Sequence, residues 1–215
     1  MGRAARDRRA GADGAAAFGR GARRSDQPRR ARDPDDLAAG ALGFLRAGTA
    51  ARAGRDSVNW PLRAYRPDDA EALAALFRAS ARVLGAQAYS AAHVEAWARY
   101  PEELEEFRAR LAQGTTLVAL DGDAPIGFGQ LNPADDVNFL YVAPTHARRG
   151  VAQAIYDALE AQARTLGTAT LRAAASRLSK PFFEKNGWTV VEIKQAPRYD
   201  VVFERYLMEN PLGRR

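Results

Sequence analysis

Apolar positions change their period several times along this chain, and the changes divide it into elements. Pro61 to Arg66 alternates apolar and polar residues and predicts a short strand. Pro67-Asp68-Asp69 then opens a helix in which Leu73, Leu76, Phe77, Ala81 and Leu84 fall on one face, ended by Gly85. Ser90 is placed to start a second helix through Val94, Trp97 and Ala98, and Pro101 restarts the chain into Leu104, Phe107 and Leu111 up to Gly114. From Thr115 the pattern becomes that of strands. Segments 115–120 and 124–131, joined by Asp121-Gly122-Asp123, read as a hairpin, and 137–142 reads as a third strand. Val151, Ala154, Ile155, Ala158 and Leu159 mark an amphipathic helix running to Gly167. A strand over 168–175, a short helix over 180–186 stopped by Gly187, and strands over 188–193 and 201–207 complete the chain. The order β-αα-βββ-α-β-α-ββ predicts an α/β (α+β) fold with a mixed sheet of about seven strands and four or five helices.

Residues 1–60 do not fit that pattern. They hold 13 arginines and seven aspartates, with no lysine or glutamate, and alanine, glycine and arginine make up 38 of the 60. So few large apolar side chains cannot offset the entropy of ordering a backbone, and a disordered leader before a domain at 61–215 is expected. Asp35 to Arg46 is the one stretch suited to a frayed helix. The seven aspartates and two serines argue against a transit peptide. Val58 could stand as an alternative start, opening the chain as Val-Asn-Trp. The leader also carries the whole net charge of +6, because 19 basic and 19 acidic residues balance in the body. A neutral body does not predict nucleic-acid binding.

The chain has no cysteine and only two histidines, His93 and His146, which excludes thiolate chemistry and predicts no metal centre. No apolar run approaches the roughly 20 residues of a membrane helix, so a soluble cytoplasmic protein is expected.

Chemistry concentrates in Asn138-Phe-Leu-Tyr-Val-Ala-Pro-Thr-His-Ala-Arg-Arg-Gly-Val-Ala152, a strand leading through a basic turn into a helix. Such a turn binds anions: first-turn N–H groups and the helix dipole point outward, Gly150 admits close approach, and Arg148 and Arg149 add charge. An exposed helix end with two solvated arginines has the same spacing. Neither a P-loop nor a Gly-x-Gly-x-x-Gly fingerprint is present, and Gly127-Phe-Gly129 reads as a bulge or close-packing device.

From about Leu62 to Leu212 the chain resembles the GNAT superfamily of acetyl-CoA-dependent N-acetyltransferases. The resemblance rests on Phe139-Leu-Tyr-Val-Ala-Pro, Arg148-Arg-Gly-Val-Ala152, Lys180-Pro-Phe-Phe-Glu-Lys-Asn-Gly-Trp188 and Tyr206-Leu-Met-Glu-Asn-Pro-Leu212. It implies a mostly antiparallel sheet and acetyl-CoA as co-substrate, without a metal. Leu140, Tyr141 and Val142 would accompany the pantetheine arm. Arg148, Arg149, Gly150, Val151 and Ala152 would meet the pyrophosphate, and Phe182 and Phe183 would lie along the cofactor. Ala147 stands where the family usually has Gln or Arg. Phe183 stands where many members carry a tyrosine that protonates the leaving thiolate, which keeps a non-catalytic acyl-CoA-binding or sensing module in view.

The implied reaction is attack of a neutral amine on the thioester, with the oxyanion held by a backbone N–H, that of Val142 foremost. Asp136, Tyr141, Ser176 and Tyr206 are the candidates for proton transfer. Each has a plain structural alternative as a turn, core or loop residue. The acceptor is a small-molecule or peptide amine. Tyr89, Trp97, Tyr100 and Trp188 could line its pocket or belong to the core, and Glu102, Glu103, Glu105 and Glu106 could attract a cation or form a solvated helix face. A homodimer stays open.

Overall fold

A computed structural model describes residues 60–213. The leader assigned to 1–60 therefore lies outside the described residues, apart from Trp60. Seven strands and five α-helices follow: β1 (Leu62–Ala64), α1 (Ala70–Val83), α2 (Ala91–Ala98), α3 (Leu104–Leu111), β2 (Thr115–Asp121), β3 (Ala124–Leu131), β4 (Val137–Val142), α4 (Val151–Thr165), β5 (Thr170–Ala175), α5 (Lys180–Lys185), β6 (Thr189–Arg198) and β7 (Val201–Pro211). Three helices separate β1 from β2, the third being the segment that Pro101 restarts, which makes five where four or five are expected. Pro101, between α2 and α3, has no N–H to continue a helix. β6 continues through Pro197 because β6 is an edge strand and needs no donor on its open side.

The expected single sheet is divided in two. Strands β1-β2-β3-β4 form one antiparallel sheet and β5-β7-β6 another. A parallel bridge between Asp136 and Arg172 joins them, with the Arg172 N–H donating to the Asp135 carbonyl at 2.6 Å. Beyond that bridge β4 and β5 do not pair among the described residues. The register of β3 on β4 shifts between Gln130 and Leu131, so Asn138 is an unopposed bulge residue. A bulge increases local twist and turns β4 away from β5 where the cleft opens.

The core lies in two bodies on either side of the sheets. Val151, Ile155, Leu159 and Ala163 of α4 pack with Leu117, Ile126, Leu171, Ala173 and Met208. Leu73, Phe77, Trp97, Phe107 and Leu111 pack on the other side with Val118, Phe128, Phe139 and Phe203. Helix α4 crosses β3 closely enough that a Cβ on Gly129 would stand 2.6 Å from the Ile155 Cγ2 and 3.0 Å from the Leu159 Cδ1. The Gly-Phe-Gly segment is thus a packing device. We expect Gly129→Ala to push α4 off the sheet and lower stability by about 2 kcal/mol in chemical denaturation. An unchanged midpoint would contradict this contact.

Candidate active site

The exposed edge of β4 follows from its register. The Ala143 N–H donates to the Ile126 carbonyl at 2.8 Å, with Val142 opposite Gly127 and Leu140 opposite Gly129. In an antiparallel ladder the hydrogen-bonding direction alternates, so the peptide groups of Leu140 and Val142 point away from β3, into the cleft facing β5. Extended backbone with unpaired N–H and C=O groups accepts another extended, amide-bearing chain. Tyr141 points differently. Its ring lies in the aromatic side of the core, 4.3 Å from Phe77 and stacked at 5.7 Å on Phe128, and its hydroxyl accepts from the Trp97 Nε1 at 3.3 Å. Burial raises its pKa.

The cleft runs into the basic turn. After the single helical turn Pro144–His146, Arg148 and Gly150 take φ of 61° and 87°, and the first intrahelical bond of α4 runs from the Ala154 N–H to the Gly150 carbonyl at 3.0 Å. The N–H groups of Val151, Ala152 and Gln153 have no carbonyl earlier in the helix to bond. Space around Gly150 is open: a Cβ there would meet nothing within 4 Å. Arg148 and Arg149 are both exposed.

Trp60 fixes this turn from below. It is 6% exposed, and its Nε1 donates to the Arg149 carbonyl at 3.0 Å. The Arg149 guanidinium lies 5.2 Å above its ring and His146 meets its edge at 5.6 Å. His146 in turn reaches Asp121 at 3.1 Å. Composition averaged over residues 1–60 places Trp60 in the leader. Its place immediately before Pro61 and the first strand was the available signal.

Beside α4 stands α5. The Gln153 Nε2 donates to the Asn186 Oδ1 at 2.8 Å, which links the start of α4 to the end of α5. Phe183 is only 3% exposed and packs at 4.8 Å on Trp188, while Phe182 is half-buried against Tyr156. Trp188 therefore belongs to this side of the core, where its Nε1 donates to the Tyr156 hydroxyl at 2.9 Å. Ser176 is buried, with its hydroxyl accepting from the Ser179 N–H at 3.1 Å and 3.0 Å from the Ser179 hydroxyl, and it organises the turn into α5. The Tyr206 hydroxyl donates to the Glu204 carboxylate, which raises its pKa.

Asp136 occupies the closed end of the cleft, at the bridge between the sheets. It is half-buried, and burial together with the charge of Asp135 pushes its pKa up to about 6 against the opposing pull of Arg172 and Arg110. On the same side as Arg110 lies the aromatic wall. Tyr89, Trp97 and Tyr100 come together there with Phe203, whereas Trp188 does not. His93 holds the wall to β7, with its Nδ1 2.8 Å from the Ser90 hydroxyl and its Nε2 3.2 Å from the Val202 carbonyl. Glu102, Glu103, Glu105 and Glu106 are exposed. Among the described residues no group of three His, Asp or Glu side chains could hold a metal ion, and no helix is long and apolar enough to cross a membrane.

The unpaired edge of β4 thus runs from the half-buried Asp136 to the open N-terminus of α4, an arrangement able to take an extended chain along the strand and an anion at its end. Comparison with known proteins gives the class. Residues 85–199 match the acetyltransferase (GNAT) domain family. A GCN5-related N-acetyltransferase from Rhodopseudomonas palustris is 32% identical, with 74% of this chain covering all of that one at a TM-score of 0.71. The uncharacterized N-acetyltransferase YafP of Escherichia coli K12 is 29% identical over 151 residues, 70% of this chain and 95% of that protein. The PaiA N-acetyltransferase of Thermoplasma acidophilum, solved with coenzyme A, shares the fold at a TM-score of 0.60 and 20% identity, over 71% of this chain and 98% of that one. The chain belongs to the GNAT acetyltransferase family. It is an acetyl-CoA-dependent N-acetyltransferase, which decides between the enzyme and the non-catalytic module in favour of the enzyme.

Proposed function

We propose that acetyl-CoA lies in the cleft between β4 and β5 and that a primary amine attacks it from the aromatic side. The observation that carries this reading is the pair of N–H groups, on Leu140 and Val142, facing an unpaired cleft that ends at the Gly150 turn. The pantetheine amides take the place of a neighbouring strand on β4. The pyrophosphate rests on the N–H groups of Gly150, Val151 and Ala152, with Arg148 and Arg149 completing the charge. The thioester carbonyl then sits against the β4 edge, where the Val142 N–H, or that of Leu140 facing the same way, stabilises the oxyanion of the tetrahedral intermediate.

The attacking amine must be neutral, so its proton has to leave. Asp136 accepts it, directly or through water, because a carboxylate with a pKa of about 6 is ionised at neutral pH yet more basic than an ordinary aspartate. The amine forms the new C–N bond, the C–S bond breaks, and CoA departs as the thiolate. Phe183 has no proton to give it, and a thiolate needs none in order to leave. Ser176 and Tyr206 serve the turn before α5 and the Glu204 contact in this reading, rather than the proton transfer.

Trp60 acts here as a positioning residue. Trp60→Phe keeps an aromatic ring under Arg149 but loses the hydrogen bond to the Arg149 carbonyl and part of the buried indole. We expect the KM for acetyl-CoA to rise about fivefold, with kcat and the KM for the amine unchanged. A fall in kcat without a change in that KM would place Trp60 in the core alone. The overall reading is tested by thiol release from acetyl-CoA across a panel of primary amines. Amine-dependent release with formation of the amide supports it, and release that ignores the amine rejects it.

A further inference from the structure

Helices α4 and α5 meet through two pairs of side chains. On α4, Gln153 and Tyr156 are three residues apart and share a face. Phe182 on α5 and Asn186 at its end are four apart and do the same. Phe182 meets Tyr156 edge to face at 5.7 Å, and Asn186 meets Gln153. The two pairs run in opposite chain directions along the helices. The polar pair therefore stands at the end nearer Gly150, within the first turn of α4.

That pair is reciprocal. The Gln153 Nε2 donates to the Asn186 Oδ1 at 2.8 Å, and the Asn186 Nδ2 donates to the Gln153 Oε1 at 3.3 Å. The other amide hydrogens are used as well: Gln153 donates to the Asp157 carboxylate at 2.8 Å, and Asn186 to the Phe182 carbonyl at 2.9 Å. Both amides are thus fixed in orientation. A glutamine at the third position of a helix commonly turns back to the N–H of the N-cap. Gln153 instead reaches across to α5, and no side chain caps the helix at Gly150.

Apolar packing holds α5 without this pair. Phe183, 3% exposed, lies 4.8 Å from Trp188, whose Nε1 donates to the Tyr156 hydroxyl at 2.9 Å. Gln153 and Asn186 are both half-buried, and hydrogen bonds there add little net stability. What the pair adds is direction. β4 leads into α4 and β5 into α5, so the two helices continue the two walls of the cleft. Among the described residues the strands of those walls are bridged at Asp136 and Arg172, at the closed end. Gln153 and Asn186 tie the walls together beyond the open end.

We propose that Gln153 and Asn186 are positioning residues for the cofactor, setting the separation of α4 and α5 where the pantetheine arm and pyrophosphate of acetyl-CoA pass. They act through the two helices and do not touch the reacting atoms. This rests on the acetyl-transfer reading above.

The test measures the Kd for acetyl-CoA by calorimetric titration, and kcat at saturating acetyl-CoA with an amine that the wild type accepts. The variants are Gln153→Ala, Asn186→Ala, the two alanines together, and the exchanged pair Gln153→Asn with Asn186→Gln. The exchanged pair keeps both amides and their summed side-chain length. Melting profiles are recorded for each. We expect either alanine to raise the Kd about three- to tenfold, the effect of one or two lost hydrogen bonds, with kcat unchanged. Both alanines together should cost no more than the worse of the two, because the amides act as one unit. The exchanged pair should recover most of the affinity. An unchanged Kd, whether or not the melting point falls, would overturn the proposal and leave the pair a structural tie. A loss confined to kcat, or an exchanged pair no better than the alanines, would overturn it too. A folded wild type that does not bind acetyl-CoA would overturn the underlying reading instead.

Discussion

Replacing Gly150 by aspartate should lower the affinity for acetyl-CoA by about a hundredfold or more while leaving the protein folded. The residue sits at the N-cap of α4 with φ of 87°, and the space around it is open, so a side chain meets no steric obstacle. Its carboxylate would hydrogen-bond the first-turn N–H groups as an N-cap does, taking the donors meant for the pyrophosphate and setting a like charge against it. The left-handed backbone is itself unfavourable for any residue with a Cβ, by about 1–2 kcal/mol for most of them. Gly150→Asn separates the two effects. Asparagine tolerates this conformation, matches aspartate in size and carries no charge. Calorimetric titration should find the Asn variant within about tenfold of wild type and the Asp variant without measurable binding. Equal losses in both would show that backbone geometry, and not the anion site, sets the affinity.

Asp136→Asn is expected to lower kcat/KM at neutral pH by about a hundred- to ten-thousandfold, the range for loss of a general base. In the wild type, kcat/KM should fall with decreasing pH below about 6, as the carboxylate takes up its proton. The Asn variant should lose that limb and recover part of its rate at high pH, where the free amine forms unaided. Stability separates this from a structural defect. The folded-state pKa lies above the usual aspartate value, so the native protein binds more protons than the unfolded chain between about pH 4 and 6. Asp136 therefore contributes less to stability as pH rises through that window, and the Asn variant should melt no lower than wild type above it. Loss of activity together with a retained acidic limb would remove Asp136 from the reaction.

Much of this site was written locally in the sequence. The strand-turn-helix over 137–152 and the glycine at its N-cap depend on neighbours within a few residues, and periodicity finds such features. The close approach at Gly129 was legible for the same reason. Other features depend on register. That Leu140 and Val142, rather than Tyr141, turn their N–H groups to the cleft follows from pairing with β3 and from the bulge at Asn138. β6 likewise runs on to Arg198, past the 193 at which the sequence pattern ends the strand, because its pairing with β7 continues through Pro197 opposite Val202. Trp97 and Trp188 are indistinguishable by composition, and the sheets send them to opposite sides. Trp60 was hidden by averaging over a leader of alanine, glycine and arginine.

Whether the cleft between β4 and β5 receives acetyl-CoA is read by calorimetric titration of the full chain with acetyl-CoA, alongside free CoA and dephospho-CoA. Saturable one-to-one binding of all three is expected, since the pyrophosphate and pantetheine contacts do not require the acetyl group or the 3′-phosphate. A folded protein that gives no heat with any of them would contradict it.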